Sequence, residues 1–449
     1  MKKSKKQSKT LKSTPKQTSK KQKNSKNKPK RVLTKKVVIP ISILIIVILL
    51  ATLIVYAFTG KQKNTVVEAE KTELNLANNE YMHVEEDASG DKVPVPNGYV
   101  GSSVTGENEI DTGYIIYEGE EEVTDSNVAD AQKNRNQYVW IPVPDISKFY
   151  GTDSNGKKWG KQYQFSSSTS SSYDEITGTK PYNWSESDGV MTISSKTSYR
   201  EPDRVKGYDY DSTLKTRGLG AKTTHEFLNQ LEKEFNNMVT SVEKYGGFYI
   251  GRYETGNINQ DTPVVQKGNT NISSQTWYNM YKRCKNIKGD NTNVVTGMIW
   301  GNQWDRTLMW LIETGSKTKE QIADDSTSWG NYNNATFEYV NSSGSTATKN
   351  KNSSTRIPTG SSEYTKANNI YDLAGNVWDW TMEANSTYYR ASRGGYCYYD
   401  GDGYPADYRG SNYPTSSGSY RRLSCSTLHK VILKIKTFQK QNKKITHKP

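Results

Sequence analysis

Two carboxylates, Asp372 and Asp379, stand seven residues apart across a Gly-Asn turn in NNIYDLAGNVWDWTMEA (368–384). Hard cations such as calcium collect several oxygens, carboxylate and backbone carbonyl alike, so this spacing suits a loop-stapling calcium site. A metal-free turn with Trp378 and Trp380 in the core accounts for the same residues. The three cysteines, Cys284, Cys397 and Cys425, show no CxxC spacing and cannot build a disulfide framework. Cys284 falls on the apolar face of an expected helix and reads as core. The four histidines, His83, His225, His429 and His447, are too scattered to assign to one site, so iron chemistry is not expected. Asp400-Gly-Asp402-Gly opens like a calcium loop but lacks the later ligands, and reads as a turn. Tyr396, Tyr398, Tyr399, Tyr404, Tyr408 and Tyr413 alternate with Asp, Ser, Asn and Gly. That mixture is the chemistry of adaptable recognition loops, rigid aromatic area beside small polar groups. An irregular fold rich in Tyr-Gly turns is the alternative.

The elements that must position these residues follow from pattern. VPVPNGYV, GYIIYEGEEEV, QYVWIPVPDISKFYG and GGFYIGRYETG are apolar runs bounded by Pro, Gly or Asn, and read as strands. Residues 151–222 are loop-like. A helix is expected after Thr223, which forms a capping box with Glu226; Phe227, Leu231, Phe235, Met238 and Val242 share one face, and Gly246 marks the stop. Trp277, Met280, Tyr281 and Cys284 mark a second helix, and Trp300, Trp304, Leu308, Leu311 and Ile312 a third. Hydrophobic residues are only 33% of the 449, and that share includes 31 Tyr and 10 Trp, so the core must bury amphipathic aromatics.

The net charge of +14 is unevenly spread. Residues 1–36 hold 16 Lys and Arg, and 421–449 hold nine, with no acid in either; the middle has 36 basic against 47 acidic residues. A middle section of net −11 repels phosphate, so no nucleic-acid partner is expected. Val37 to Phe58 carries no charge, and its 22 residues would extend ~33 Å as a helix, enough to cross a bilayer core. The expected organisation is a basic disordered cytoplasmic tail (1–36), a transmembrane helix (37–58), a stalk (59–92), a large exported domain (93–420) and a basic tail (421–449).

Several of these pieces together resemble one family, the formylglycine-generating enzymes or sulfatase-modifying factors. The 368–384 segment is similar to that family's Tyr-x-x-x-Gly-Asn-x-Trp-Glu-Trp stretch, and YYRASRGGYC (388–397) to its Arg-x-x-Arg-Gly-Gly. YVWIPVP (138–144), GGFYIGRYETG (246–256) and the Trp-Gly-Asn at Trp329 to Asn331 stand in the matching order. The resemblance implies an α+β, C-type-lectin-like fold with irregular loops, preceded here by one transmembrane helix. It implies calcium bound through the side chains of Asp372 and Asp379 and the carbonyls of Gly375 and Val377, although Asp379 stands where the family has a longer Glu. It also implies copper on two cysteines five residues apart after the Arg-Gly-Gly. Only Cys397 follows here, two positions after the glycine pair, so copper is not expected.

The function that follows is a membrane-anchored extracellular module, non-catalytic, binding or adhering to an unknown protein or glycan through the tyrosine surface. The alternative is a copper-dependent oxidase forming formylglycine on a cysteine of a target protein. Domains of this framework also serve as hypervariable receptors. The C-terminus departs from the resemblance, because a closing Gly-Phe-Arg strand is expected where RRLSCSTLHKVILKIK stands. A shifted reading frame from Arg421 is one account of that departure, and an authentic basic tail the other.

Overall fold

The computed structural model describes residues 76–154, 156–165, 173–176, 184–185, 190–191, 211–256, 263–271, 275–384, 388–417, 427–428 and 431–435. The chain divides into two units, Met1–Glu70 and Lys71–Pro449, and every described residue belongs to the second.

Short apolar runs, cut by Gly and Pro, become short strands. Those forming the two larger sheets are β1 (Tyr99–Gly101), β2 (Ile115–Glu118), β3 (Gln137–Pro142), β4 (Gly247–Gly251), β5 (Val294–Met298), β6 (Trp378–Ala384), β7 (Arg390–Arg393), β8 (Gly410–Asn412), β9 (Thr427–Leu428) and β10 (Val431–Ile435). The larger sheet runs β5-β10-β4-β3-β2-β1 and is antiparallel throughout. Its centre is the full pairing of β4 with β3, from Gly247 opposite Pro142 to Gly251 opposite Tyr138. Gly247 is required there, since a Cβ would sit 2.4 Å from the Ile141 carbonyl oxygen. The second sheet runs β8-β7-β6-β9, with β9 parallel to β6.

Three helices cover this frame: α1 (Thr224–Tyr245), α2 (Trp277–Cys284) and α3 (Gly301–Glu313). The capping box starts α1: the Thr223 hydroxyl accepts from the Glu226 amide at 3.1 Å, and Glu226 accepts in return from the Thr223 amide at 3.3 Å. Gly246, at φ +78°, ends it in the left-handed region. Phe227, Leu231, Phe235, Met238 and Val242 are all buried, each contributing ~1.5–3 kcal/mol relative to exposure. Phe235 meets Trp300 edge to face at 5.1 Å, which joins α1 to the start of α3.

Two expectations are corrected. The mixture of helix and sheet is α+β, but the larger sheet is open: its edge strands β1 and β5 pair with other strands and not with each other, so the C-type-lectin-like closure is not formed among the described residues. The reason lies in strand length, since β1 spans only three residues and leaves no ladder to carry the sheet round. Among the described residues, moreover, no helix is long and apolar enough to cross a membrane. The expected span, 37–58, lies outside the described residues, as do 1–36 and the first half of the expected stalk, 59–75. The single-pass anchor, the cytoplasmic N-terminus, the extracellular placement and the membrane as a partner therefore have no support from any described helix.

The segment expected as a basic tail contributes β10, which lies between β4 and β5 and pairs with both. Leu433 stands opposite Tyr249 on one side and Thr296 on the other. Proline at an interior strand position removes a ladder donor, so Leu433→Pro should cost at least ~1 kcal/mol in urea unfolding. Unchanged stability would show that this strand is not part of the folded sheet.

Candidate functional site

The residues singled out by spacing fall into three places. In the first, the Gly-Asn turn is a junction of the core. The Gly375 amide donates to the Gly394 carbonyl at 2.6 Å, and Asn376 donates to Glu254 at 2.6 Å while accepting from Asn331 at 2.9 Å. Trp-Gly-Asn, Gly-Asn and Arg-Gly-Gly, distant in sequence, therefore meet. Gly394 and Gly395 both take positive φ, and a Cβ on Gly395 would lie 2.5 Å from the Tyr404 carbonyl oxygen.

Asp372 turns its carboxylate to the Gly360 amide and the Thr365 hydroxyl, each at 2.7 Å. Asp379 is buried beside Gly394, and the Val377 amide points at Glu254. A cation at Asp372 would have to displace two donors that already satisfy it. Among the described residues no three acidic, His or Cys groups are grouped to hold a metal. Calcium on Asp372, Gly375, Val377 and Asp379 remains a proposal from the sequence, with a direct test below.

Cys397 is buried and donates its thiol to the Ser354 carbonyl at 3.4 Å. Burial pushes that thiol up to about 12, and pushes Cys284 higher still. Burial thus holds both thiols in the protonated form near neutral pH, which is unreactive as a nucleophile.

In the second place the tyrosines form an aromatic face. Tyr399 and Tyr404 lie 4.3 Å apart between ring centroids, Tyr404 and Tyr408 4.8 Å, and both Tyr404 and Tyr408 border Trp378. Tyr398 projects, 60% exposed, and Tyr396 reaches inward to Tyr399. Tyr413 does not join them but pairs with Tyr389. A binding role for this face remains a proposal from the sequence.

The third place was not singled out from the sequence. A cleft of about 600 Å³ is lined by Asp145, Ser147, Lys148, Lys161, Tyr163, Tyr173, Glu175, Ile312 and Glu313. The 3₁₀ turn Ile146–Lys148 supplies one wall, and Asp145 caps it by accepting from the Ser147 amide at 3.0 Å and hydroxyl at 2.5 Å. Those bonds hold the Asp145 carboxyl below the usual carboxylate range. The end of α3 supplies another wall: Glu313 is clamped by both terminal nitrogens of Arg306, at 2.9 and 2.6 Å, and accepts from Tyr173 at 3.0 Å. Burial and the Glu313 charge push the Tyr173 phenol up to about 12, so it keeps its proton for that bond. Lys161 and Glu175 pair at 2.9 Å across the strands Tyr163–Gln164 and Asp174–Glu175. Tyr163 and Tyr173 meet edge to face at 5.5 Å, and the Lys148 ammonium lies 5.9 Å from the Tyr173 ring centre. Alternating charge and tyrosine between Asp145 and Glu175 was the available signal, hidden inside a stretch that reads as loop.

No family model matches this chain, and no curated protein matches it. Membership of the formylglycine-generating enzyme family is corrected on that finding. The sulfatase-modifying-factor-like adhesion module and the copper-dependent oxidase fall with it, and so do the protein or glycan partners inferred for it.

Two outcomes test these assignments. Native protein treated with iodoacetamide near neutral pH should yield unmodified Cys284 and Cys397 on peptide mapping, with both alkylated after unfolding; rapid native alkylation of Cys397 would show an accessible, activated thiol. For calcium, Asp379→Ala should lower Tm more in calcium than in chelator, because a bound ion stabilises by mass action. Equal loss in both would leave the carboxylate a packing role only.

Proposed function

We propose that the folded domain binds a small zwitterionic solute, of amino-acid or dipeptide size, in the cleft between the Ile146–Lys148 turn and the end of α3. One observation carries this reading: charges of both signs and two tyrosine rings line a single cleft of about 600 Å³. That volume lies within the ~300–1,000 Å³ common for small-molecule sites.

The inner charges are engaged with each other, Glu313 with Arg306 and Glu175 with Lys161. Asp145 and Lys148 are looser. Their charged atoms are 4.0 Å apart and about half exposed, which favours exchange of that contact for a ligand. A ligand ammonium complements Asp145, a ligand carboxylate complements Lys148, and an apolar body packs on Tyr163, Tyr173 and Ile312. Ligands of one sign satisfy only half of this arrangement. Retention of one solute, and not its conversion, is the activity that this pairing supports.

Calorimetric titration of the full chain with free amino acids and dipeptides, alongside their N-acetyl and amide forms, tests the reading. The zwitterions should bind at least ~10-fold more tightly than either capped form, a difference of ~1.4 kcal/mol. Lys148→Met with Asp145→Asn should abolish that preference without lowering Tm. Equal binding of capped and free forms, or no binding by any of them, would overturn it.

A further inference from the structure

The antiparallel ladder of β7 and β8 places Arg390 opposite Asn412, Ala391 opposite Ser411 and Ser392 opposite Gly410. Continued by one residue, it sets Tyr389 opposite Tyr413. Their ring centroids are 4.6 Å apart at 42°, and their phenol oxygens are hydrogen-bonded at 2.9 Å. Tyr413 is 41% exposed and its partner partly so, which leaves the pair open to small oxidants and to an enzyme's surface. Tyr399 and Tyr404 are comparably close, but Tyr404 is also packed against Trp378 and Tyr408, and both lie within one loop.

We propose that Tyr389 and Tyr413 form an oxidative cross-linking site, joined as an intramolecular dityrosine by a haem peroxidase using hydrogen peroxide. Each phenol gives up one electron and its hydroxyl proton, leaving two phenoxyl radicals whose spin density reaches the ring carbons ortho to oxygen. A carbon–carbon bond forms between one ortho carbon of each ring, and the two ring hydrogens return to the oxygens on rearomatisation. The pair loses two hydrogens in all. The peroxide takes those two electrons and two protons and is reduced to two waters. Rings already in contact couple within one molecule faster than radicals on separate chains meet in dilute solution. This ladder end supplies that contact before oxidation.

The bond would close the chain from 389 to 413 covalently at its base. That closed stretch carries Tyr396, Tyr398, Tyr399, Tyr404 and Tyr408, so the cross-link would fix the frame of the aromatic face without consuming its rings. Closing a loop restricts the unfolded chain more than the folded one, and Tm should rise on cross-linking.

The test uses the full chain, dilute to suppress coupling between molecules, with peroxidase and limiting hydrogen peroxide. Trypsin should release residues 367–390 joined to residues 410–421, two hydrogens lighter than the sum, with fragmentation placing the link at Tyr389 and Tyr413. Tyr389→Phe and Tyr413→Phe, each folded as judged by circular dichroism, should each abolish that species, while Tyr398→Phe retains it. Persistence of the linked peptide in Tyr413→Phe would overturn the assignment. Oxidation that yields only links between molecules or links at other tyrosines would overturn it equally.

Discussion

Four buried charges hold the domain together at the junction of its layers. Arg393 of β7 reaches Asp305 of α3 at 2.6 Å and Glu383 of β6 at 3.3 Å, and Arg409, just before β8, reaches the same two carboxylates at 2.5 and 3.1 Å. Two acids and two guanidinium groups balance at a site where no side chain is more than 7% exposed. Burial still raises the Glu383 carboxyl, against the pull of both arginines. Removing one partner would leave an uncompensated buried charge, at a cost of about 3–5 kcal/mol. The cluster demands that α3, β6, β7 and the chain entering β8 occupy fixed relative positions, because neither carboxylate is satisfied by one arginine alone.

The cleft inherits its shape from that cluster. Asp305 accepts from the Tyr163 amide at 2.8 Å, and Arg409 donates to the Tyr163 carbonyl at 3.2 Å, so the backbone of a lining residue is pinned by the core charges. Arg306, next in α3, faces the other way: it donates to the Pro142 carbonyl at the end of β3 at 2.8 Å and clamps Glu313 with its remaining nitrogens. One turn of helix thus anchors both sheets and sets the charges of the cleft. A ligand site so supported pays little reorganisation on binding.

The motifs most conspicuous in the sequence have another role. Gly375, Asn376, Asn331, Glu254 and Gly394 bond to one another in the interior, where unpaired polar groups would be costly. Their glycines are demanded by close backbone approach: a Cβ on Gly375 would lie 2.3 Å from the Asn331 carbonyl oxygen. Such motifs record how loops interlock. They say little about chemistry, and the buried, protonated state of Cys397 beside them agrees with that reading.

Local order was legible from the residues alone. The Thr223–Glu226 capping box, the five-residue apolar face of α1 and the Gly246 stop fix that helix through contacts within a few positions, and the paired runs at 137–142 and 247–251 are short continuous apolar stretches with the bounding residues of strands. The pairing of β3 with β4 and the insertion of Val431–Ile435 between β4 and β5 were not legible, because those partners lie more than a hundred residues apart. The likeness to a known family rested on short motifs, and short motifs specify turns and close packing, which different architectures can share. The cleft was invisible for the same reason: Asp145 and Lys148, Tyr163 and Tyr173, and Glu313 become neighbours only when the buried Asp305–Tyr163 contact brings α3 against the paired strands Tyr163–Gln164 and Asp174–Glu175. Sequence by itself determined the elements, whose energetics are local; the tertiary structure alone decided the site, because its charges are placed by burial and by partners that no spacing along the chain reveals.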